Sequence, residues 1–214
     1  MTIDALAVAE RVTHIRQRIA ALTDHSVKLV AVTKTFGYDA IDAAVHAHCD
    51  GVGENYAQEL LAKVEGREVS IPMHFIGGLQ SNKVRQLAPV VDVWQTVDRD
   101  SVLQEIAKRV PGATVLIQVN TTNEESKGGC APSDVEALVS RGVQSGLAVS
   151  GLMTIGPTNG TIAECESVFK QLRKMADSLG LEECSMGMTS DFESAVSCGS
   201  TIVRIGSALF GERH

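Results

Sequence analysis

Apolar residues at Val8, Val12, Ile15, Ile19 and Leu22 recur at alternating spacings of four and three, which puts them on one face of a helix. That amphipathic helix is predicted within residues 1–24. Beyond it the pattern shortens. Eight compact runs follow: KLVAVTK (28–34), GVGE (51–54), IPMHFIG (71–77), VDVWQTV (91–97), ATVLIQVN (113–120), LAVSGLMTI (147–155), LEECSMG (181–187) and TIVRIG (201–206). Their length and aliphatic, β-branched content predict strands buried on both faces. GVGE is the poorest of them by propensity, because two of its four residues are glycine.

Helical periodicity returns between the runs. Ala57, Leu60, Leu61 and Val64 form one stripe; Ile162, Cys165, Phe169, Leu172, Ala176 and Leu179 form another. Ser133-x-x-Glu136, Thr161-x-x-Glu164 and Ser190-x-x-Glu193 read as capping boxes that start helices. Strands alternating with helices, with no compositional break, predict one (β/α)8 barrel domain over residues 1–214, with the N-terminal helix packed on it. A doubly wound open sheet is the alternative that the pattern leaves.

Composition narrows the function classes. The chain is 44% hydrophobic but only 4% aromatic, so aliphatic side chains must fill the core. A net charge of −7 argues against a nucleic-acid partner, which wants a basic face. No apolar run approaches a membrane span, and the start MTIDALAVAE lacks a basic leader. A cytoplasmic monomer is expected. The five cysteines lack a C-x-x-C pair and read as small core residues, their odd number fitting reduced thiols. His46, His48 and Cys49 do not share a helix face, so no metal is expected there.

Chemistry gathers at the carboxyl ends of the runs, where barrels of this kind keep their sites. Lys34 ends the first run. A lysine whose stem crosses an apolar barrel mouth loses solvation and becomes a nucleophile toward carbonyls. Taken alone, such a lysine more often snorkels or pairs with a carboxylate. The last two runs change the picture. Ser185 and Gly187 end the seventh, and Gly206 and Ser207 follow the eighth. Their hydroxyls and amides suit a phosphate held by the loops after strands 7 and 8. With Lys34 they point to a phosphorylated aldehyde. Arg204 lies within the last strand and demands either a buried acid or a heteroaromatic nitrogen.

The blocks VAVTKTF, GVGENYAQE, HFIGGLQSNK, SMGMTSDFESAV and VRIGSALFG occur in the order found in the pyridoxal phosphate homeostasis proteins, and the chain resembles that family over nearly its whole length. The resemblance implies the barrel of the alanine racemase N-terminal domain. It implies a Schiff base between Lys34 and pyridoxal 5′-phosphate, with Arg204 facing the pyridine nitrogen. It also implies phosphate contacts from Ser185, Gly206 and Ser207, and a mouth lined by Asn55, Met153, His74, Phe75, Ile76 and Gly77. The chain departs from the family pattern at Gly37, at Gly78 and in MTSD at 188–191, which leaves the part played by Thr189 open.

The resemblance further implies a regulator of cofactor supply without an established reaction, delivering to apo-enzymes. An amino-acid racemase is the alternative. Against it, the chain ends at His214, and Tyr38 and Tyr56 are its only tyrosines. A cofactor-free Schiff-base aldolase would need a proton-relay carboxylate beside Lys34, and a dinucleotide module a G-x-G-x-x-G after the first strand; neither is found. Finally, TTNEESKGGCAPS (121–133) reads as an exposed, mobile loop. Lys127 within it is expected to be either a solvated, widely moving lysine or a second amine that engages the cofactor.

Overall fold

The computed structural model describes residues 3–122, 124 and 127–211. In chain order the elements are α1 (Ala5–Ala20), β1 (Lys28–Val32), α2 (Tyr38–His46), β2 (Gly51–Glu54), α3 (Ala57–Val64), β3 (Met73–Phe75), α4 (Ser81–Leu87), β4 (Val93–Val97) and α5 (Asp100–Arg109). There follow β5 (Thr114–Gln118), a 3₁₀ turn (Pro132–Asp134) leading into α6 (Val135–Gln144), β6 (Ala148–Met153), α7 (Ile162–Ser178), β7 (Glu183–Ser185), α8 (Phe192–Ser197), β8 (Ile202–Ile205) and α9 (Ser207–Phe210). All eight strands pair in parallel, and β8 returns to β1 to close the barrel, so the open-sheet alternative is excluded.

Alternation along the strands sorts their side chains into two separate cores. Leu29, Ala31, Val52, Phe75, Trp94, Val115, Ile117, Leu152, Val203 and Ile205 pack outward with the helices in one large cluster. Val30, Leu116, Met153 and Ile202 form a small cluster inside the barrel. Polar residues and glycines take up much of the remaining interior, with Val93 and Ile155 packed against the small cluster. This explains the GVGE strand: a Cβ on Gly51 would lie 2.7 Å from the His74 ring, and one on Gly53 2.9 Å from Ile76. Glycine on the inward face leaves room for bulkier neighbours, and that packing overrides poor strand propensity.

Helix α1 covers the barrel with Val8, Val12, Ile15 and Ile19, each contributing about 1.5–3 kcal/mol by burial. Asp4 caps it by accepting from the amides of Leu6 and Ala7, both at 3.1 Å. The helix stops at Ala20, so Leu22 falls off its stripe and is 40% exposed.

Of the three expected capping boxes only Thr161 forms one. Its hydroxyl accepts from Glu164 N at 3.3 Å while Glu164 Oε2 accepts from Thr161 N at 2.7 Å. Ser133 instead lies inside the 3₁₀ turn, its hydroxyl on Asp134 Oδ1. Ser190 precedes a helix that starts later, at Phe192. There the carboxylate of Asp191 takes the turn amide of Met188 at 2.6 Å, as the stronger acceptor. All five cysteines are free and buried. Burial pushes the thiols of Cys49 and Cys184 up to about 12, which leaves them unreactive. Among the described residues no group of His, Cys, Asp or Glu is placed to hold a metal, and no helix is long and apolar enough to cross a membrane.

Thr161→Ala is therefore expected to cost about 1 kcal/mol in urea unfolding, whereas Ser190→Ala should stay within about 0.5 kcal/mol of the parent. Equal losses in the two variants would contradict the assignment of the caps.

Candidate functional site

The pairing of β1 with β8 sets Val30 opposite Arg204 and Ala31 opposite Ile205. The two-residue alternation of β1 carries the inward side from Val30 through Val32 to Lys34, in the turn just beyond the strand. Lys34 is half-buried there. On β2 the same alternation runs from Gly51 and Gly53 to Asn55, whose Oδ1 is buried with no hydrogen-bond partner among the described residues. Gly77 packs so closely on this residue that a Cβ would sit 1.9 Å from Asn55 O. Only glycine fits that approach. Ile76 fills the space beside it, buried over Gly53.

Below this level a chain of hydrogen bonds crosses the barrel. Gln95 Nε2 donates to His74 Nδ1 at 2.7 Å, and Ser185 Oγ donates to Gln95 Oε1 at 2.6 Å. Arg204 Nη1 donates to Ser185 Oγ at 2.6 Å, and Nη2 donates to Thr154 O at 2.9 Å. Thr154 in turn donates to Val119 O at 2.9 Å. Burial pushes His74 down to about 4, and accepting at Nδ1 requires the same neutral ring. Burial likewise lowers Arg204, to about 10, so it remains a cation at neutral pH.

Arg204 is only 4% exposed, and its hydrogen-bond partners above are a hydroxyl and a peptide carbonyl. Among the described residues no carboxylate lies within ion-pair distance of it, and the acid that acts on its charge is Asp191. The structure also shifts one expected phosphate contact, Ser185, and three expected mouth residues, Phe75, His74 and Met153; Phe75 packs outward against the helices. Ser185 Oγ is engaged by Gln95 and Arg204, so this hydroxyl orients the arginine rather than reaching toward the phosphate loops. His74 and the fully buried Met153 lie in the interior, as support and floor.

The loops after β7 and β8 meet. Gly187 turns the chain after β7 with a φ of 95°, and its carbonyl accepts from Arg204 N at 3.0 Å. Thr189 Oγ1 accepts from Ser207 Oγ at 3.3 Å and from Ala208 N at 3.4 Å. The structure thus brings Thr189 to Ser207, and Gly206 lies against Val32. Lys127 departs from expectation. Its side chain is 11% exposed, paired with Glu124 Oε1 at 2.6 Å and donating to Gly156 O at 2.5 Å. Glu124 also accepts from Thr158 N at 3.1 Å, and these bonds, the one from Lys127 foremost, hold its carboxyl down to about 2. The ammonium is pinned between two loops and is neither solvated nor free to move. Asn123, Glu125 and Ser126 of the expected mobile loop lie outside the described residues. Sequence reading missed Gln95 and Thr154; an inward-facing glutamine within an otherwise buried strand was the available signal for Gln95.

The family described as "Alanine racemase, N-terminal domain" matches residues 3–214. A pyridoxal phosphate homeostasis protein of Haemophilus influenzae is 39% identical over 206 residues, covering 89% of this chain and 86% of the relative. PipY of Synechococcus elongatus, solved with PLP bound, is similar in structure at a TM-score of 0.83 and 32% identity, over 95% of this chain and 100% of that one. Alanine racemase from Corynebacterium glutamicum shares the fold at a TM-score of 0.77 and 15% identity, over 99% of this chain and 62% of that one.

His74 supplies a pH test of the interior. Its folded-state value lies below that of the unfolded chain, so on acidification the unfolded chain takes up the proton first. The contribution is complete above roughly pH 6.5 and declines as pH falls toward 4. The urea midpoint of wild type should therefore drop more between those values than that of His74→Gln. Parallel drops would show that the ring is protonated in the folded barrel.

Proposed function

The chain belongs to the alanine racemase N-terminal domain family and, within it, to the pyridoxal phosphate homeostasis proteins, and from that membership we propose that Lys34 holds pyridoxal 5′-phosphate at the barrel mouth as a Schiff base. The observation that carries this reading is Arg204, a buried guanidinium with neutral partners, set beneath the mouth on the strand that pairs with β1. An arginine has five N–H donors, and a heteroaromatic nitrogen is an acceptor that requires no proton of its own. Asn55 Oδ1, buried without a partner among the described residues, supports the same ligand by offering an acceptor to a ring hydroxyl. Ser207, Thr189 and the backbone at Gly206 and Gly187 serve the phosphate, without a lysine or arginine among them. Ile76 and Gly77 wall the ring, with His74 and Met153 supporting it from below.

Bound pyridoxal phosphate supplies an aldehyde and an electron-accepting ring whose pull is strongest when its nitrogen is protonated. Arg204 cannot accept that proton, so this chain favours the neutral ring. Tyr38 is unsuited to serve as an opposing acid or base, because its hydroxyl donates to Glu68 O at 2.8 Å and its ring lies under Arg67. The engaged hydroxyl of Tyr38 supports holding and delivering the cofactor over racemising an amino acid, whereas an arginine at the ring nitrogen is compatible with either. The role that follows is storage and supply of the cofactor to apo-enzymes by a protein without a reaction of its own. Five unbridged cysteines fit a reducing cytoplasm.

Lys34→Ala is expected to abolish borohydride-reducible attachment of pyridoxal phosphate while leaving the circular dichroism spectrum unchanged. Peptide mass spectrometry of the reduced wild type checks the position. A pyridoxyl group found mainly on another lysine would sink the assignment.

A further inference from the structure

Lys63 on α3 points its ammonium into the barrel wall at the carboxyl ends of β1 and β2, and its side chain is 4% exposed. It donates to Glu54 Oε1, to Glu59 Oε1 at 3.0 Å and to Thr33 O at 2.9 Å. An ammonium has three protons, and all three are placed. The two carboxylates continue the grip. Glu54 Oε1 accepts from Thr33 Oγ1 at 2.6 Å, and Glu59 Oε1 accepts from Thr35 N. The residues immediately before and after Lys34 are therefore held through a hydroxyl, a carbonyl and an amide that all end on the same three charged side chains.

Such a cluster is a costly way to fill a wall. Glu54 is fully buried, its second oxygen has no partner among the described residues, and burial pushes its carboxyl up against the pull of Lys63. Buried ion pairs are commonly replaced by apolar residues with no loss of stability, and unsatisfied buried polar atoms call for an explanation. The turn they grip supplies one. Thr35 has a φ of 69°, a left-handed conformation that a β-branched residue avoids unless its surroundings enforce it.

We infer that Lys63, Glu54 and Glu59 are positioning residues that hold the Thr33–Thr35 turn so that Lys34 presents its amine to the aldehyde of the ligand. The step they serve joins the amine nitrogen of Lys34 to the aldehyde carbon and releases the aldehyde oxygen as water. This inference rests on the reading of Lys34 given above. The contacts described reach Thr33 and Thr35, so the three residues act through the chain on either side of Lys34.

Two variants separate positioning from cementing. The apolar pair Glu54→Leu/Lys63→Met removes the charges together and should keep the thermal midpoint near that of wild type. Glu59→Leu, at a side chain 27% exposed, removes the grip on Thr35 together with one of the three acceptors of Lys63. Stopped-flow absorbance after adding pyridoxal phosphate to the apo-protein reads the rate of attachment, and reduction with mass spectrometry reads its position. Both variants should attach the cofactor at Lys34 between about tenfold and a hundredfold more slowly, and Glu59→Gln, which keeps an acceptor for Thr35 N, should restore most of the rate. Should the double variant fail to fold, the Glu59 pair decides. An attachment rate unchanged in folded Glu59→Leu would overturn the inference. A wild-type adduct on a different lysine would overturn the reading of Lys34 beneath it, whatever the variants do.

Discussion

The backbone hydrogen bonds between β1 and β8 join the two ends of the chain, and the site exists only where they do. Leu29 opposite Val203 and Val30 opposite Arg204 fix the register, and a shift of one residue would turn every inward side chain outward. In the observed register Arg204 lies below the mouth, Gly206 lies against Val32, and Lys34 continues the inward row above them. The amine-bearing turn, the turn proposed for phosphate and the buried cation are thus gathered by one ladder. Each of its bonds contributes on the order of 1 kcal/mol net. Its larger effect is geometric, because the interior row of each strand is fixed once the barrel closes.

That closure also permits a polar interior. Four apolar residues form the inner cluster, and beside them His74, Gln95, Ser185 and Arg204 form one hydrogen-bonded chain. Each link satisfies a group that would otherwise be costly to bury. The apolar driving force resides in the other layer, between strands and helices, where Trp94, Phe75, Phe169 and the aliphatic residues of α1 pack. Stability and ligand chemistry are therefore assigned to opposite faces of the same strands.

Much of this was legible in the sequence. The eight strands are visible because each apolar run is short and the intervening stripes have helical spacing. Lys34 and Arg204 stand out because a charge at the end of, or within, an apolar run has no ordinary place in a core. Other features depend on which side chains meet across the barrel, and a linear pattern does not carry that. Ser185 follows a buried strand as a phosphate-binding serine would, yet its hydroxyl meets Gln95 and Arg204 from strands distant in sequence. Lys63 sits on a helix with Glu59 one turn earlier and reads as a solvated pair, although the structure buries it against Glu54. Lys127 sits among polar and glycine residues that suggest mobility, and a carbonyl from the β6–α7 loop pins it.

The proposed site rests on a cationic Arg204, hydrogen-bonded to a hydroxyl and a peptide carbonyl, facing the ring nitrogen of a cofactor held by Lys34. The most direct test is the ¹⁵N chemical shift of the pyridine nitrogen in wild-type protein loaded with ¹⁵N-labelled pyridoxal phosphate at neutral pH. An unprotonated nitrogen that accepts a hydrogen bond, with the label reducible onto Lys34, is the predicted result. A protonated pyridinium would contradict it, because a ring nitrogen carrying a proton cannot accept from the buried guanidinium.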